Sequence, residues 1–155
     1  MITKREFEEY CSKNNLKSDW NNNDLFIILC CYGYIETLKW LYTKEIINIH
    51  TNNESAFIFC CKYGKIEVAK WLMEISKKNG EIINIHANNE EAFRKSCRNE
   101  NLEVAKWLCS LCDEYYIKIK DDKIVKYGIT NVFDKYLDEN KGIKKIIRKL
   151  QLQII

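Results

Sequence analysis

One segment of this chain occurs twice, and that repetition constrains the fold more than any other feature of the sequence. Residues 46–72 read IINIHTNNESAFIFCCKYGKIEVAKWL, and residues 82–108 read IINIHANNEEAFRKSCRNENLEVAKWL. The shared words IINIH, NNE, AF and EVAKWL keep their spacing, so His50, Phe57 and Trp71 each recur 36 positions later. A period in the thirties predicts a solenoid of stacked units, because a single unit cannot bury its own apolar face.

A weaker copy of the same unit precedes these two. Phe26 and Gly33 each lie 31 positions before their counterparts Phe57 and Gly64. This offset is five residues shorter than the first, and residues 76–80 are the natural place for the additional residues. The sequence therefore predicts at least three units, which we call repeats one (16–45), two (46–80) and three (81–113).

Each repeat predicts two helices joined by a tight turn. The predicted helices are Asp24–Tyr32 and Ile35–Thr43, then Glu54–Tyr63 and Ile66–Lys77, then Glu90–Asn99 and Leu102–Asp113. Gly33 and Gly64 occupy the first two turns and suit a positive φ. Glu100 stands at the third turn, where it either strains the backbone or requires a different turn.

The flanking segments predict caps for the array. Residues 1–15 contain the capping-box pattern Thr3 to Glu6 and predict an N-terminal capping helix. Residues 114–140 resemble a degenerate fourth repeat, with helices over Asp121–Tyr127 and Ile129–Leu137 around Gly128. Residues 141–155 predict a basic amphipathic helix. That helix is interpreted either as a C-terminal cap with solvated lysines, which we favour, or as a docking element for a membrane surface, nucleic acid or a second partner.

Composition excludes several classes of function. A net charge of +3 over 155 residues gives no strong field for nucleic-acid binding. No apolar run approaches the length of a membrane span. The start MITKREFEEYC has no apolar core of a secretory signal, and eight cysteines without one indicate a reducing compartment with free thiols. We expect a cytoplasmic protein that is not secreted, with a monomer favoured over an oligomer.

The sequence contains one motif that looks like a reactive site, Cys109-x-x-Cys112. A zinc site needs four ligands, but no second such pair occurs, and His50 and His86 lie in loops of other repeats. A redox role requires a βαβ context, which is absent. We interpret the pair as small apolar residues on a helix face, and each histidine as the donor or acceptor of a local hydrogen bond in its loop.

Other residues that could carry chemistry recur at equivalent positions and are better explained by packing. These are the cysteines Cys30, Cys61 and Cys97 and the tryptophans Trp40, Trp71 and Trp107. Small side chains at the cysteine positions let stacked helices approach, and the tryptophans lie at helical core positions rather than on a platform for bases. No acid–base pair, nucleophile with a base, phosphate loop or metal set is present. We therefore predict no enzymatic activity and no cofactor or metal.

The order of loop, helix, glycine turn and LEVAKWL helix resembles the ankyrin repeat, whose pattern is roughly T-P-L-H-x-A-A-x-x-G-H-L-E-V-V-K-L-L. Residues 102–108 match its second half. The T-P-L-H half is missing, with proline replaced by Leu25, Ala56 or Ala92 and histidine replaced by Ile27, Ile58 or Arg94. The motifs INIHxNNExAF and EVAKWL are similar to those of divergent ankyrin arrays of giant DNA viruses of amoebae. The resemblance implies an all-α, helix–turn–helix solenoid of about four repeats with capping helices.

The resemblance also implies a function in protein–protein recognition through a concave face, with a host or viral protein as the partner and the host cytoplasm as the location. In such arrays the contacts come from loop tips and the exposed side of the first helix. The implied contact residues are Trp20, Asn23, Tyr32, Thr51, Asn52, Glu54, Lys62, Tyr63, Asn88, Glu90, Arg98 and Asn99. Two alternatives stay open: an adaptor that links a target to a second partner, such as ubiquitin-ligase machinery, through the C-terminal helix, and a protein that sequesters a small ligand.

Overall fold

A computed structural model of the protein describes residues 22–130. Six helices and two strands follow one another in this part of the chain: α1 (Asn22–Tyr32), α2 (Ile35–Lys44), α3 (Thr51–Lys62), α4 (Ile66–Lys78), α5 (Ala87–Arg98), α6 (Leu102–Leu111), β1 (Tyr115–Lys120) and β2 (Lys123–Ile129). The predicted all-α class of stacked helical repeats is confirmed, with a short two-stranded sheet added near the C-terminus. The predicted capping helices at 1–15 and 141–155 lie outside the described residues.

The three helix pairs share one turn geometry. Gly33 and Gly64 adopt φ angles of +82° and +71°, and Glu100 adopts +56° in the corresponding place. After each turn, a backbone N–H donates to the carbonyl five residues earlier, at Tyr34, Lys65 and Asn101. The third repeat therefore keeps the same turn and holds a glutamate in the left-handed region, which costs an L-residue about 1–2 kcal/mol.

The core consists of the same side chains repeated in each helix pair. Phe26, Phe57 and Phe93 are each at most 1% exposed, and each contributes roughly 1.5–3 kcal/mol on burial. α3 packs against both α1 and α5, and α1 and α3 each pack against the second helix of their own repeat. The positions predicted to need small side chains are buried as expected, at Cys30, Cys61 and Cys97.

The five additional residues of repeat two lengthen its second helix. α4 has 13 residues, compared with 10 in α2. The helix ends before Gly80, whose φ of +75° allows the chain to leave it. The half-buried Trp71 of this helix contacts the rings of Phe26 and Tyr42, at centroid distances of 6.1 and 5.9 Å.

The described residues divide into two compact units between residues 105 and 106, and the second contains a β-hairpin. β1 pairs antiparallel with β2, from Tyr115 opposite Ile129 to Lys120 opposite Lys123. Both loop residues have positive φ, +49° at Asp121 and +57° at Asp122, as a type I′ turn requires.

The helix predicted from Asp121 to Tyr127 is therefore wrong. The β-branched and aromatic residues Ile124, Val125 and Tyr127 favour a strand there, and aspartate tolerates the left-handed turn that joins the two strands. The predicted second helix of that degenerate repeat, Ile129–Leu137, lies almost entirely outside the described residues. The helix predicted to end at Asp113 ends at Leu111.

Candidate recognition surface

The loop tips of repeats two and three make a left-handed turn within the first residues of α3 and α5. The φ angles are +52°, +56° and +67° at Asn52, Asn53 and Glu54, and +53°, +57° and +60° at Asn88, Asn89 and Glu90. Asparagine visits this region more readily than most residues, but glutamate does not. The right-handed part of each helix starts after the glutamate, so something in the fold must hold these residues in place.

A histidine–carboxylate pair holds the tip of repeat two. His50 Nδ1 lies 2.9 and 3.0 Å from the two carboxylate oxygens of Glu54. His50 Nε2 lies 2.9 Å from Glu81 Oε2 and 3.5 Å from Ser76 Oγ. In repeat three, His86 Nδ1 lies 2.9 Å from Glu90 Oε2. The local hydrogen bond predicted for each histidine is confirmed.

The carboxylate of Glu54 also joins the loop of repeat two to the loop of repeat three. The backbone N–H of Asn84 donates to Glu54 Oε1 at 3.1 Å. At the equivalent place one repeat earlier, the N–H of Asn48 donates to Asn23 Oδ1 at 2.9 Å. Because Glu54 is only 6% exposed, its carboxylate does not lie on the exposed surface where we predicted a partner contact. The residue instead ties repeats two and three together.

The charge of this cluster follows from its geometry. Burial by itself lowers the pKa of His50, but the hydrogen bonds and negative charges of Glu54 and Glu81 outweigh it, and the pKa is raised overall from 6.5. The protonated ring donates through both nitrogens, one to each carboxylate. The two carboxylates thus favour the protonated form of His50, and their contacts with its ring hold the loop of repeat two in place.

Arg94 stabilises the tip of repeat three in a different way. Its Nε donates to the carbonyl of Asn89 at 2.7 Å, and its Nη2 donates to the carbonyl of Asn88 at 3.1 Å. The equivalent residue in repeat two is the buried Ile58. The sequence showed Arg94 only as a departure from the ankyrin pattern, and its role in holding the left-handed turn was missed.

Aromatic pairs lie at the ends of the first helices of repeats one and two. The rings of Tyr32 and Tyr34 stack with centroids 5.9 Å apart, and those of Phe59 and Tyr63 stack at 6.2 Å. Lys62 Nζ lies 4.6 Å from the centroid of the Tyr63 ring and 3.0 Å from its hydroxyl. Tyr32 is 54% exposed and Tyr63 is 45% exposed, so these pairs present rigid aromatic area to solvent.

A shallow depression lies between the first helices of repeats one and two. Its volume is about 370 Å³, and its lining residues are Asp24, Ile27, Ile28, Asn52, Ser55 and Phe59. The floor is apolar and the rim carries short polar groups. Ile28 and Phe59 are not among the contact residues predicted from the sequence, because apolar residues on a first helix do not by themselves indicate whether they lie in the core or on the surface.

The predicted contact residues fall into three groups. Six are exposed: Tyr32, Asn52, Tyr63, Asn88, Arg98 and Asn99. Four are half-buried, namely Asn23, Thr51, Lys62 and Glu90, and Glu54 is buried. Trp20 lies outside the described residues. The exposed group consists of loop-tip residues at the start of the first helices and of residues at the opposite ends of these helices.

The described residues show few features of a metal site, a reactive thiol or a membrane span. Among residues 22–130, no group of three or more His, Cys, Asp or Glu side chains is placed to hold a metal ion. Cys109 and Cys112 are free and half-buried, and burial followed by the charge of Cys112 raises the pKa of Cys109. No helix within these residues has the length and hydropathy needed to cross a membrane.

Comparison with protein families places the repeats in a known class. The family described as ankyrin repeats matches residues 25–121, in three copies. Comparison with curated proteins gave no match, and neither did comparison with solved structures. Members of the matched family are generally protein–protein interaction modules and typically scaffolds without enzymatic activity. With three helix pairs, their shared turns and this match over more than half of its length, the chain belongs to the ankyrin-repeat family.

Proposed function

We propose that this ankyrin-repeat protein binds a partner protein through its recognition face, defined as the exposed side of α1, α3 and α5 together with the exposed tip residues 52–53 and 88–89. The observation that carries the proposal is a pair of aromatic stacks, Tyr32 with Tyr34 and Phe59 with Tyr63, in which the equivalent residues Tyr32 and Tyr63 are exposed. Exposed large aromatic residues that recur at one position of consecutive repeats are not required for packing the repeats.

The chemistry of this face suits a protein more than a small substrate. Tyrosine and arginine are the residue types that most often dominate binding energy at protein interfaces. Stacking fixes the Tyr63 ring before binding, which reduces the entropy lost when a partner is bound. The face also changes along the array, because Ile28 and Phe59 are replaced at the equivalent place of repeat three by Lys95.

Affinity capture tests the proposal. We would capture proteins from the lysate of a plausible host cell on the native protein and identify them by mass spectrometry. A double variant, Tyr63→Ala with Arg98→Ala, should lose the captured protein while its helicity by circular dichroism is unchanged. The matched control is Glu67→Ala with Lys70→Ala, an exposed pair on a second helix. A partner that binds native and face variants equally would contradict the assignment of this face.

The source of the partner is a finer part of the proposal. The motifs INIHxNNExAF and EVAKWL support a viral protein that acts on a host or viral protein in the host cytoplasm. Capture from amoeba lysate should then enrich a protein that lysate from an unrelated cell does not supply. Equal enrichment from both lysates would contradict this origin of the partner.

The apolar depression gives some support to the small-ligand alternative. Its volume of about 370 Å³ falls within the range of ligand pockets, roughly 300–1,000 Å³. Such pockets bury most of their ligand, however, and this depression is shallow. A small molecule that co-purifies with the native protein, and is lost on Phe59→Ala, would favour this alternative. The adaptor alternative concerns residues 141–155, and it stays a prediction.

A further inference from the structure

A row of asparagine side chains runs along the loop tips of repeats two and three. Asn52, Asn53, Asn88 and Asn89 are all exposed, and we call them the Asn edge. Asn53 Nδ2 donates to Asn88 Oδ1 at 2.5 Å. The tips of consecutive repeats therefore touch through their side-chain amides, and the edge is continuous from one repeat to the next.

The amides of the Asn edge have hydrogen-bonding capacity beyond this contact. Each asparagine amide carries two N–H donors and a carbonyl acceptor with two lone pairs. The contact between Asn53 and Asn88 uses one donor and one acceptor. A peptide group has one donor and one acceptor as well, so a side-chain amide is complementary to the backbone of another chain in both directions.

The distance from one repeat to the next along the edge, taken as the usual spacing of packed helices, is close to the period of one backbone conformation. The first helices of consecutive repeats pack side by side, which sets their axes about 8–10 Å apart. A polyproline II segment repeats every three residues with a rise of 3.1 Å per residue, or about 9.3 Å per turn. Its backbone groups face one side at that interval, and they are not occupied by internal hydrogen bonds.

The apolar depression continues from the Asn edge. Asn52 is one of the residues that line it, and Ile27, Ile28 and Phe59 supply its apolar surface. A chain held along the edge would bring one side chain to this depression. An apolar side chain fits there, since its burial covers aliphatic and aromatic surface that is otherwise open to water.

We propose that the Asn edge binds the backbone of an extended, polyproline-II-like segment of the partner protein, with one apolar side chain of that segment in the depression. This inference rests on the proposed function and gives the partner a form. Asparagine also suits the left-handed backbone at these positions, but glycine suits it at least as well. Substitution by glycine therefore removes the amide without straining the turn, and it separates binding from conformation.

The test uses short random peptides displayed on phage and selected on the full-length protein. Selected peptides, made synthetically with a fluorescent label, are then titrated against the native protein and against Asn52→Gly with Asn88→Gly. We expect the double variant to lose affinity on the order of tenfold, with no fall in its thermal midpoint. Asn52→Asp with Asn88→Asp keeps the acceptor but removes the donors, and it should lose affinity as well. Asn79→Ala serves as the control, because Asn79 is an exposed asparagine at the C-terminal end of α4 and lies outside the Asn edge.

Methylation of the peptide backbone gives a readout that a structural role of the asparagines would not change. N-methyl groups at positions three residues apart should weaken binding to the native protein and have less effect on the double glycine variant. A selection without binders, binders that are helical when bound, or binders unaffected by both double variants would overturn the inference. If peptides that bind but are unaffected by both double variants, or are helical when bound, still require Tyr63 and Arg98, the recognition face stands and the Asn edge alone fails.

Discussion

The loops of repeats two and three share the motifs IINIH and NNE. The histidine–glutamate pairs that hold these loops, His50 with Glu54 and His86 with Glu90, are nevertheless buried to different degrees. In both, Nδ1 of the histidine lies 2.9 Å from the glutamate. The side chains of His50 and Glu54 are 23% and 7% exposed, whereas those of His86 and Glu90 are 50% and 17% exposed. The local bond is specified within a repeat, but the burial of His50 and Glu54 is completed by Glu81 and Asn84 of the repeat that follows.

Removing the two glutamates should give the largest difference between these loops. Glu54→Ala leaves the Asn84 N–H and Nδ1 of the His50 ring without their acceptor in a partly buried place. It should lower the free energy of unfolding by about 2–3 kcal/mol, and Glu90→Ala by about 1 kcal/mol. The backbone cost is matched, because both residues have φ near +60° and alanine is no better there. Urea unfolding followed by circular dichroism measures both values.

A conservative variant sharpens this comparison. Glu54→Gln keeps an acceptor for the Asn84 N–H but removes the charge next to His50, so its loss should fall between those of the two alanine variants. Equal losses for Glu54→Ala and Glu90→Ala would contradict the view that the following repeat completes the site.

The turns of the two repeats give a second comparison. A Cβ on Gly64 would lie 2.6 Å from Asn101 Oδ1, and the amide of Asn101 donates to the last carbonyls of α3, at Cys61 and Lys62. With a φ of +71° as well, Gly64→Ala should lower the free energy of unfolding by about 1–2 kcal/mol. A thermal melt that matches the native protein would contradict this account of the turn.

The third turn should respond in the opposite direction. Glu100 is exposed and has a φ of +56°. Glu100→Gly removes the left-handed strain but adds entropy to the unfolded chain, and we expect a net gain of about 0.5–1 kcal/mol. Glu100→Ala controls for loss of the carboxylate and should bring no such gain. Destabilisation by the glycine variant would show that the side chain of Glu100 stabilises the turn.

The smallest effect concerns pH. The pKa of His50 is raised in the folded protein from 6.5, so the folded state binds this proton more tightly than the unfolded state does. The resulting stability is complete below the unfolded value and is lost as pH rises through the folded pKa. The stability advantage of the native protein over His50→Gln should therefore be larger at about pH 5.5 than at about pH 8.5. Urea midpoints at both values test this, and an advantage that grows with pH would contradict it.

Most of the helical part could be predicted from the sequence because the repeat itself is the signal. Internal repetition placed Gly33 and Gly64 at turns, and the predicted helix Ile66–Lys77 differs from the observed one by a single residue. The same repetition caused the main error. Residues 115–129 were aligned with a fourth repeat, although the alternation of isoleucine and lysine in YYIKIK and the β-branched and aromatic residues of KIVKYGI are typical of strands.

The candidate surface was predicted less completely, for a physical reason. Exposed positions such as Tyr63 follow from the helical period, because one side of each first helix packs on its neighbours. The burial of Glu54 does not, since it depends on the backbone of Asn84, which only the stacking of two repeats brings within 3.1 Å. The repeated pairing of histidine with glutamate four residues later was the one available signal.

The most direct test of this account is hydrogen exchange at the backbone amide of Asn84, because a recognition face formed by several repeats requires that consecutive loops be joined. We predict that this amide is protected in the native protein and exchanges much faster in Glu54→Ala, while the amide of Asn48, which Asn23 holds, keeps its protection. An Asn84 amide that exchanges in the native protein at the rate of an unstructured chain would show that the loops move independently, and would contradict the account.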